Sequence, residues 1–201
     1  MTHTIYLVRH GEQEYAEHGV EDGALSARGL RQAELIADRL SGVRFTEASY
    51  SPLKRADETM RAMTRRMPAL EATSSTLLLD CVPTGMLYDM PDVYAPFFRS
   101  YTEADFEAGA AQMGDAVSEY LSGPREPESH ELLVTHNSVI AWLVREILDA
   151  PEWRWVSINQ ANCALTVLQR KRGRPWSLLT HNDMGHLPME LRTGLPEPFL
   201  I

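Results

Sequence analysis

Short apolar runs rich in β-forming residues alternate along this chain with longer stretches in which apolar residues recur at helical spacing. The pattern predicts strands at residues 4–8, 46–50, 72–78, 131–135, 163–169 and 176–180. It predicts helices at residues 27–40, 52–66, 102–121 and 139–148. Strands that alternate with helices favour an α/β fold with a mostly parallel central sheet, to which the last two strands can add an antiparallel edge.

The length of the chain favours a single domain. Its 201 residues, 44% of them hydrophobic, are enough to bury one substantial core. Residues 81–101 interrupt the alternation with several prolines and aromatic side chains. We therefore expect one domain over residues 1–201, in which the segment 81–101 forms a small lid-like insertion near a site.

The composition restricts the class of partner. A net charge of -9 at pH 7 argues against a general role in binding nucleic acid or anionic membranes. The sequence contains no run of about 18 apolar residues, and Cys81 and Cys163 form no CxxC motif. We therefore expect a cytoplasmic protein that binds neither nucleic acid nor membrane.

Basic side chains follow three of the predicted strands. Arg9 and His10 come directly after the first strand, Arg55 follows the second, and His136 follows the strand at 131–135. In open α/β sheets, ligands bind in the crevice beyond the carboxyl ends of the strands. These four side chains are therefore predicted to converge, although they are distant in sequence.

Lys54 and Arg55 fall in the first turn of a predicted helix, where the helix dipole disfavours cations. A bound anion would offset that cost, because a helix N-terminus attracts anions. The alternative is that both side chains point into solvent, and this pattern alone leaves both interpretations open.

Four short motifs occur in a fixed order along the chain. They are LVRHGE at residues 7–12, LSARGLRQA at 25–33, SPLKRADET at 51–59 and VTH at 134–136. In this order and spacing the sequence resembles the histidine phosphatase superfamily, which is also called phosphoglycerate-mutase-like. The resemblance implies a three-layer α/β/α sandwich. It also implies that His10 is a nucleophile that becomes a phosphohistidine, and that Arg9, Arg55 and His136 bind phosphate, with His136 also taking part in catalysis.

These residue types suit phosphoryl transfer. A neutral imidazole is a competent nucleophile near pH 7, and guanidinium groups hold phosphate oxygens through paired hydrogen bonds while remaining charged. Catalysis of phosphoryl transfer depends on positioning and on stabilising dispersed negative charge, so it requires no metal in principle. We expect no metal and no cofactor.

The leaving oxygen also needs a proton, and the resemblance implies a carboxylic acid after the third strand. Asp80 stands there, within the segment LLLDCVP at residues 77–83. This segment is similar to the L-x-E-G-x-P stretch of the PGAM-five-type mitochondrial protein phosphatases, with Asp in place of Glu and Cys in place of Gly. Asp80 is therefore the predicted general acid, and a surface or capping aspartate is the alternative.

Two further residues are candidate phosphate contacts. The backbone N–H of Asn137 lies at a predicted helix start and can point at an anion. Gln13 lies in the loop after the first motif, where a merely solvated glutamine is the alternative.

The resemblance implies a histidine acid-type phosphatase, a phosphoric monoester hydrolase acting on a phosphorylated small molecule or a phosphopeptide. A phosphoglycerate-mutase-type phosphomutase and a non-catalytic protein that binds phosphorylated ligands are the alternatives. Residues 83–87, PTGML, differ from the G-x-W-E-G-like segment of the mutases, and the loop after RHGE lacks their asparagine. Both departures weigh against a mutase. A homodimer is a further expectation.

Overall fold

The computed structural model describes residues 1–15, 22–122 and 128–195. The strands are β1 (Thr2–Arg9), β2 (Glu47–Tyr50), β3 (Thr73–Ser74), β4 (Glu128–Thr135), β5 (Leu165–Lys171) and β6 (Trp176–Asp183). The helices are α1 (Ala27–Leu40), α2 (Lys54–Arg66), α3 (Ala95–Phe98), α4 (Glu103–Tyr120) and α5 (Asn137–Ile147). Short 3₁₀ turns occupy Thr76–Leu78, Asp92–Tyr94, Glu152–Ser157 and Met189–Leu191.

The described strands form one six-stranded sheet in the order β3-β2-β4-β1-β5-β6. The first four strands in this order pair in parallel, and β5 runs antiparallel to both of its neighbours. This arrangement confirms the predicted α/β class with its mostly parallel sheet and antiparallel edge. In the central pair, Thr2 lies opposite Glu128 and Arg9 lies opposite Thr135, so β1 and β4 end at the same level.

Both faces of the sheet are covered by helices. Successive side chains of a strand point to opposite faces, and accordingly Leu7 and Leu133 pack in one apolar cluster while Val8 and Val134 pack in another. Residues of α4 and α5 belong to the first cluster, and residues of α1 and α2 belong to the second. The result is the three-layer α/β/α arrangement expected from the resemblance.

Local capping signals account for the starts of two helices. The Ser26 hydroxyl accepts a hydrogen bond from the backbone N–H of Gly29 at the start of α1. At the start of α4, Thr102 and Asp105 form a capping box, in which each side chain accepts from the other residue's backbone N–H. Because these signals are local, the sequence predicts both helices to within one or two residues.

The predicted strand at 72–78 is wrong in its extent. Only Thr73–Ser74 pairs with the sheet, and a 3₁₀ turn at Thr76–Leu78 follows. The carbonyls in and just after this turn accept hydrogen bonds from the Gln112 side chain of α4 and from the Thr135 hydroxyl. Side-chain donors therefore take the place of the backbone N–H groups that a neighbouring strand would supply. The chain leaves the edge of the sheet here and runs between α4 and β4. The structure also begins α5 at Asn137, two residues earlier than predicted.

The segment 81–101 is packed against the body of the protein. Phe98 is buried in the larger apolar cluster, and the indole N–H of Trp155 donates to the Thr84 hydroxyl at 2.9 Å. The backbone of this segment passes so close to α4 that a Cβ atom added at Gly109 would lie 2.2 Å from the Val82 carbonyl oxygen. Val82, Thr84 and Phe98 of the predicted lid-like insertion therefore pack against the rest of the protein, and the insertion as a whole stays a prediction.

Within the described part of the chain, the helices are too short or too polar to cross a membrane. This finding agrees with the sequence, which contains no long apolar run.

The contact between α4 and residue 82 predicts opposite effects for two glycine substitutions in the same helix. Gly109→Ala is expected to lower the free energy of unfolding by about 1–3 kcal/mol, because the added methyl group meets backbone atoms that cannot easily move. Gly114→Ala is the matched control, since nothing lies within 4 Å of its added Cβ; it is expected to raise that free energy by about 0.5–1 kcal/mol. Urea unfolding measures both, and equal stabilities for the two variants would contradict the proposed close contact.

Candidate active site

The ends of β1 and β4 place two imidazole rings side by side. The His10 backbone N–H donates to the Thr135 carbonyl at 2.9 Å, which extends the strand pairing by one residue. The ring centroids of His10 and His136 lie 5.1 Å apart, and both residues are buried. The convergence predicted from the strand ends is therefore present for these two histidines.

The hydrogen bonds of His10 define its tautomer. Its Nδ1 lies 2.7 Å from the Gly11 carbonyl oxygen, which can only accept, so Nδ1 carries the proton. Its Nε2 accepts a hydrogen bond from the Arg55 Nε–H at 3.2 Å, so Nε2 carries the lone pair. Burial lowers the pKa of His10 well below its ordinary value, and His136, Arg9 and Arg55 lower it further. His10 is therefore a neutral imidazole whose Nε2 lone pair lies beside a guanidinium group.

Arg55 connects the other groups of the site. It lies in the first turn of α2 and is buried. One of its terminal nitrogens, Nη2, lies 3.2 Å from both Asp80 Oδ2 and His136 Nδ1. Its Nη1 lies 3.8 Å from Asp22 Oδ1, and the same Asp22 oxygen accepts from the Lys54 backbone N–H at the start of α2. Two carboxylates therefore offset the cost of placing cations at this helix N-terminus.

His136 is held from both ring nitrogens. Its Nε2–H donates to the Ser51 hydroxyl at 2.8 Å, and its Nδ1 accepts from Arg55. Burial lowers the pKa of His136 well below its ordinary value, and the charges of Arg55 and Arg9 act in the same direction. The ring is thus neutral, with its lone pair on the nitrogen that faces Arg55.

Asp80 lies at the mouth of this group. Its Oδ1 accepts from the Ser138 hydroxyl at 2.6 Å, and its Oδ2 lies 3.2 Å from Arg55 and 3.7 Å from His136 Nδ1. Its side chain keeps 47% of its surface exposed. A carboxyl group that is anchored on one oxygen and open to solvent suits proton exchange with a bound ligand.

Arg9 is held by the backbone of distant segments. Its Nη1 donates to the carbonyls of Gln160 at 2.7 Å and Gly194 at 3.0 Å. Burial lowers its pKa to about 10, against which the charge of Asp80 acts, so the guanidinium stays charged near neutral pH. Its buried Nε–H has no hydrogen-bond partner among the described residues.

Sequence reasoning missed the residues that support the loop after His10. The Gln32 side chain accepts from the Glu12 backbone N–H at 2.8 Å, and the Ser26 hydroxyl donates to the Glu12 carboxylate at 2.6 Å. Gly29 packs so closely that an added Cβ would lie 2.1 Å from the Glu12 carbonyl oxygen. The second motif therefore supports the backbone of the first. The resemblance of LSARGLRQA at residues 25–33 to a family motif was the signal available in the sequence.

Two more side chains fix the peptide unit that joins His10 to Gly11. The Gly11 N–H donates to the Thr59 hydroxyl at 3.0 Å, and the Asn162 amide donates to the His10 carbonyl at 3.0 Å. Thr59 is the last residue of the SPLKRADET motif. The third motif therefore supplies both Arg55, which contacts the His10 ring, and Thr59, which holds the next peptide unit.

The two weaker candidates occupy different surroundings. The Asn137 side chain is used structurally, because its Oδ1 accepts from Gln160 and its Nδ2 donates to Asn159. Its backbone N–H lies in the first turn of α5, where helix N–H groups lack intrahelical partners. Gln13 pairs with Leu25 in an isolated antiparallel bridge. The phosphate contacts of Asn137 and Gln13 stay predictions.

A cavity of about 730 Å³ adjoins the site. Arg55, Asp80 and Ser138 line one part of it, and three aromatic side chains, of Phe97, Tyr101 and Trp155, line another. Within the described ranges, no three or more His, Cys, Asp or Glu side chains are grouped so that they could hold a metal ion.

Comparisons with known proteins match most of this chain. The sequence model of one protein family, the histidine phosphatase superfamily (branch 1), matches residues 5–80 and 89–184. The gap between the two ranges lies within the segment 81–101. The mitochondrial serine/threonine-protein phosphatase Pgam5 of Caenorhabditis elegans is 30% identical over 193 residues, which cover 93% of this chain and 65% of that protein. The chain thus spans just under two thirds of the length of this relative.

Two further proteins resemble the chain along nearly its whole length. A probable phosphoglycerate mutase, GpmB of Proteus mirabilis, is 25% identical over 209 residues, covering 91% of this chain and 94% of that protein. The solved structure of YhfR from Bacillus stearothermophilus superposes with a TM-score of 0.72 at 21% identity, covering 91% of this chain and 98% of that one. The structural likeness supports the fold.

The buried, cationic surroundings of His10 predict an unusually acidic imidazolium. Its ring is expected to titrate below pH 6.5, because burial and two guanidinium groups disfavour the protonated form. Two-dimensional NMR of the histidine ring signals across pH 4–8 measures this, with His10→Gln used to assign the resonance. A His10 midpoint at or above 6.5 would contradict the neutral state described above.

Proposed function

This chain belongs to the histidine phosphatase superfamily, and from that premise we propose that it is a phosphatase that hydrolyses a phosphomonoester through a phosphohistidine on His10. In class terms it would be a histidine acid-type phosphatase, a phosphoric monoester hydrolase. The observation that carries the proposal is the contact of Arg55 with His10 Nε2, His136 Nδ1 and Asp80 Oδ2. One guanidinium group thus contacts the lone pair of His10, a second imidazole and a carboxyl group.

In the first half-reaction, His10 Nε2 attacks the phosphorus atom and the bond from phosphorus to the ester oxygen breaks. In the free protein Asp80 contacts Arg55, and a phosphate group that binds Arg55 would take the place of that contact. Asp80, protonated from solvent in this complex, gives its proton to the leaving oxygen, so that an alcohol departs. The Ser138 hydrogen bond holds the Asp80 carboxyl while its other oxygen faces the site. The product of this step is a phosphohistidine on His10 and an ionised Asp80.

In the second half-reaction, water attacks the phosphohistidine. Asp80 accepts a proton from this water, and the bond between phosphorus and His10 Nε2 breaks to release inorganic phosphate. His10 is again neutral, and Asp80 again holds a proton like the one that it gave up in the first half-reaction. Asp80 therefore serves first as an acid and then as a base. The attacking water occupies the place that the leaving oxygen had, so one carboxyl group can serve both steps.

Arg9, Arg55 and His136 stabilise the negative charge on the phosphoryl oxygens. Arg9 and Arg55 are charged near neutral pH and close enough to disfavour protonation of both histidines. A bound phosphate dianion would relieve that repulsion and favour a protonated His136, which could then donate to it. The N–H groups in the first turn of α5, Asn137 included, lack intrahelical partners and add donors of the kind that bind anions at helix starts.

A non-enzymatic binding protein is the weaker alternative. Binding a phosphate group needs cations and donors, and Arg9 and Arg55 supply these without any nucleophile. A buried imidazole that is held neutral, with its Nε2 lone pair beside a guanidinium, contributes little to binding an anion. The same arrangement is what attack on phosphorus requires.

A phosphomutase is the second candidate, and the likeness to the probable phosphoglycerate mutase GpmB favours it. A mutase would return the phosphoryl group from His10 to a sugar-acid acceptor. Incubation with 3-phosphoglycerate and a bisphosphate primer separates the two activities: isomer formation would support the mutase, and release of inorganic phosphate would support the phosphatase.

Several expectations about the whole protein stay predictions. They are the single domain over residues 1–201, the absence of a metal or cofactor, the homodimer and the cytoplasmic compartment. The Pgam5 relative is named as a mitochondrial serine/threonine-protein phosphatase. That name supports a phosphoprotein as one substrate class for this chain, and it does not support the cytoplasmic compartment.

His10→Ala is expected to lower kcat/KM for p-nitrophenyl phosphate by at least about a thousandfold, because it removes the nucleophile. The matched control is His130→Ala, which removes a histidine near the start of β4, about 20 Å from His136 along the strand. The control should retain the parent activity. Quenching in alkaline denaturant, in which the P–N bond of phosphohistidine survives, followed by ³¹P NMR should detect a phosphohistidine in the parent and in His130→Ala but not in His10→Ala. More than one tenth of the parent activity in His10→Ala would refute the assignment.

Asp80→Asn is expected to affect substrates according to their leaving groups. Hydrolysis of an alkyl phosphate should fall by about 10²–10⁴-fold, since an alkoxide leaves poorly without a proton. Hydrolysis of p-nitrophenyl phosphate should fall much less, because nitrophenolate leaves without protonation. An equal loss for both substrates would assign Asp80 to binding instead of acid catalysis.

A further inference from the structure

Beyond the proposed phosphate contacts, the cavity has a lining of different character. Phe97, Tyr101 and Trp155 form an aromatic wall, and Asp22 and Asp105 add carboxylates to it. None of these five side chains has a part in the mechanism proposed above. Their position beside Arg55 and Asp80 is where the organic part of a phosphomonoester would lie.

The aromatic wall is a fixed feature of the fold. The rings of Phe97 and Tyr101 lie 5.5 Å apart, and those of Phe97 and Trp155 lie 6.0 Å apart. Trp155 is buried and donates its indole N–H to Thr84, whereas Phe97 and Tyr101 remain 44% and 37% exposed. A cation placed over exposed rings of this kind is attracted by their electron-rich faces.

The carboxylates are also held in place. Asp105 accepts hydrogen bonds from the Thr102 backbone N–H and hydroxyl, both at 2.7 Å, and these bonds lower its pKa. Asp22 accepts from the Lys54 backbone N–H and keeps 46% of its side chain exposed. The Asp105 carboxyl group is therefore ionised near neutral pH, and both carboxyl groups line the cavity where a ligand can meet them.

The cavity offers little positive charge to balance these groups. Arg55 is the one cation among its described lining residues, and it faces His10, His136 and Asp80. Once a phosphate group engages Arg55, an anionic leaving group would meet carboxylates without a cationic partner among the described lining residues.

We propose that this part of the cavity selects phosphomonoesters whose leaving group carries a positively charged amine. The aromatic faces and the two carboxylates attract such a group, and the same carboxylates repel a leaving group that carries a carboxylate or a second phosphate. The amine can belong to a small molecule or to a basic residue beside a phosphorylated side chain, since both present the same chemistry. The proposal rests on the proposed function and adds the class of its substrate.

The test compares two aryl phosphates of nearly equal size and leaving-group acidity. Tyramine O-phosphate carries an ammonium group, and 4-(phosphonooxy)phenylacetate carries a carboxylate at the equivalent position. The ammonium substrate is expected to have a kcat/KM at least about tenfold higher at low ionic strength, with the preference weakened by salt. Equal values, or a preference for the carboxylate, would overturn the proposal.

A binding measurement keeps this test independent of turnover. The phosphonate analogues of the two compounds, titrated calorimetrically into the wild-type protein, should show the same order of affinity. If neither ester is hydrolysed but the ammonium phosphonate binds more tightly, the proposed function fails and the selectivity stands. If hydrolysis occurs and the two phosphonates bind equally, the proposed function stands and the selectivity fails.

One pair of variants tests whether the negative charge of Asp105 causes the preference for the ammonium substrate. Asp105→Asn keeps an oxygen that can cap α4 but removes the negative charge, so the preference for ammonium is expected to fall at least about threefold. Asp115→Asn removes the same charge ten residues later in α4, about 15 Å along the helix, and should leave the preference unchanged. An unchanged preference in Asp105→Asn would overturn the role of this carboxylate and the selectivity built on it.

Phosphoserine peptides distinguish the two sources of the amine. A preference for peptides with flanking lysines over peptides with flanking aspartates supports a basic protein substrate. A preference confined to tyramine O-phosphate supports a small amine phosphate. A preference for the aspartate-flanked peptide would contradict the proposal, because it would place like charges together in the cavity.

Discussion

The in-register parallel pairing of β1 with β4 is the constraint on which the site depends. Since Arg9 lies opposite Thr135, both strands end at one level, and the next residue of each chain segment is a histidine. The His10 N–H bond to the Thr135 carbonyl fixes this junction. A shift of one residue would turn the side chains of either strand to the opposite face and separate the two rings. The apolar clusters on the two faces make such a shift costly.

Arg55 links the groups that this strand pairing brings together. Its guanidinium is buried at the start of α2, where the helix dipole opposes a cation, and Asp22 and Asp80 compensate its charge. The same charge disfavours protonation of His10 and His136. Arg55 therefore adds to the effect of burial in keeping neutral the imidazole proposed as nucleophile, and it also contacts the carboxyl group proposed as acid. Arg9, held by two backbone carbonyls, adds a second charge that acts in the same direction.

Features that depend on local signals were predicted well from sequence. The N-cap at Ser26 and the capping box of Thr102 and Asp105 mark helix starts that the structure confirms. The third strand was predicted too long, because hydrogen bonds from Gln112 and Thr135 replace strand pairing there, and both donors are remote in sequence. The role of Gln32 was missed for a similar reason, since its partner is a backbone group twenty residues away.

By itself, the sequence determined the alternation of strands and helices, the α/β class, and the ordered motifs that identify the family. Residue types and their spacing along the chain carry this information, because helix periodicity, capping and strand propensity act over a few residues. Only the tertiary structure decided the tautomer of His10, the two carboxylates around Arg55, and the aromatic and acidic wall of the cavity. These depend on contacts between segments far apart in sequence, such as Phe97 with Trp155, and no local pattern encodes which charges and rings will meet.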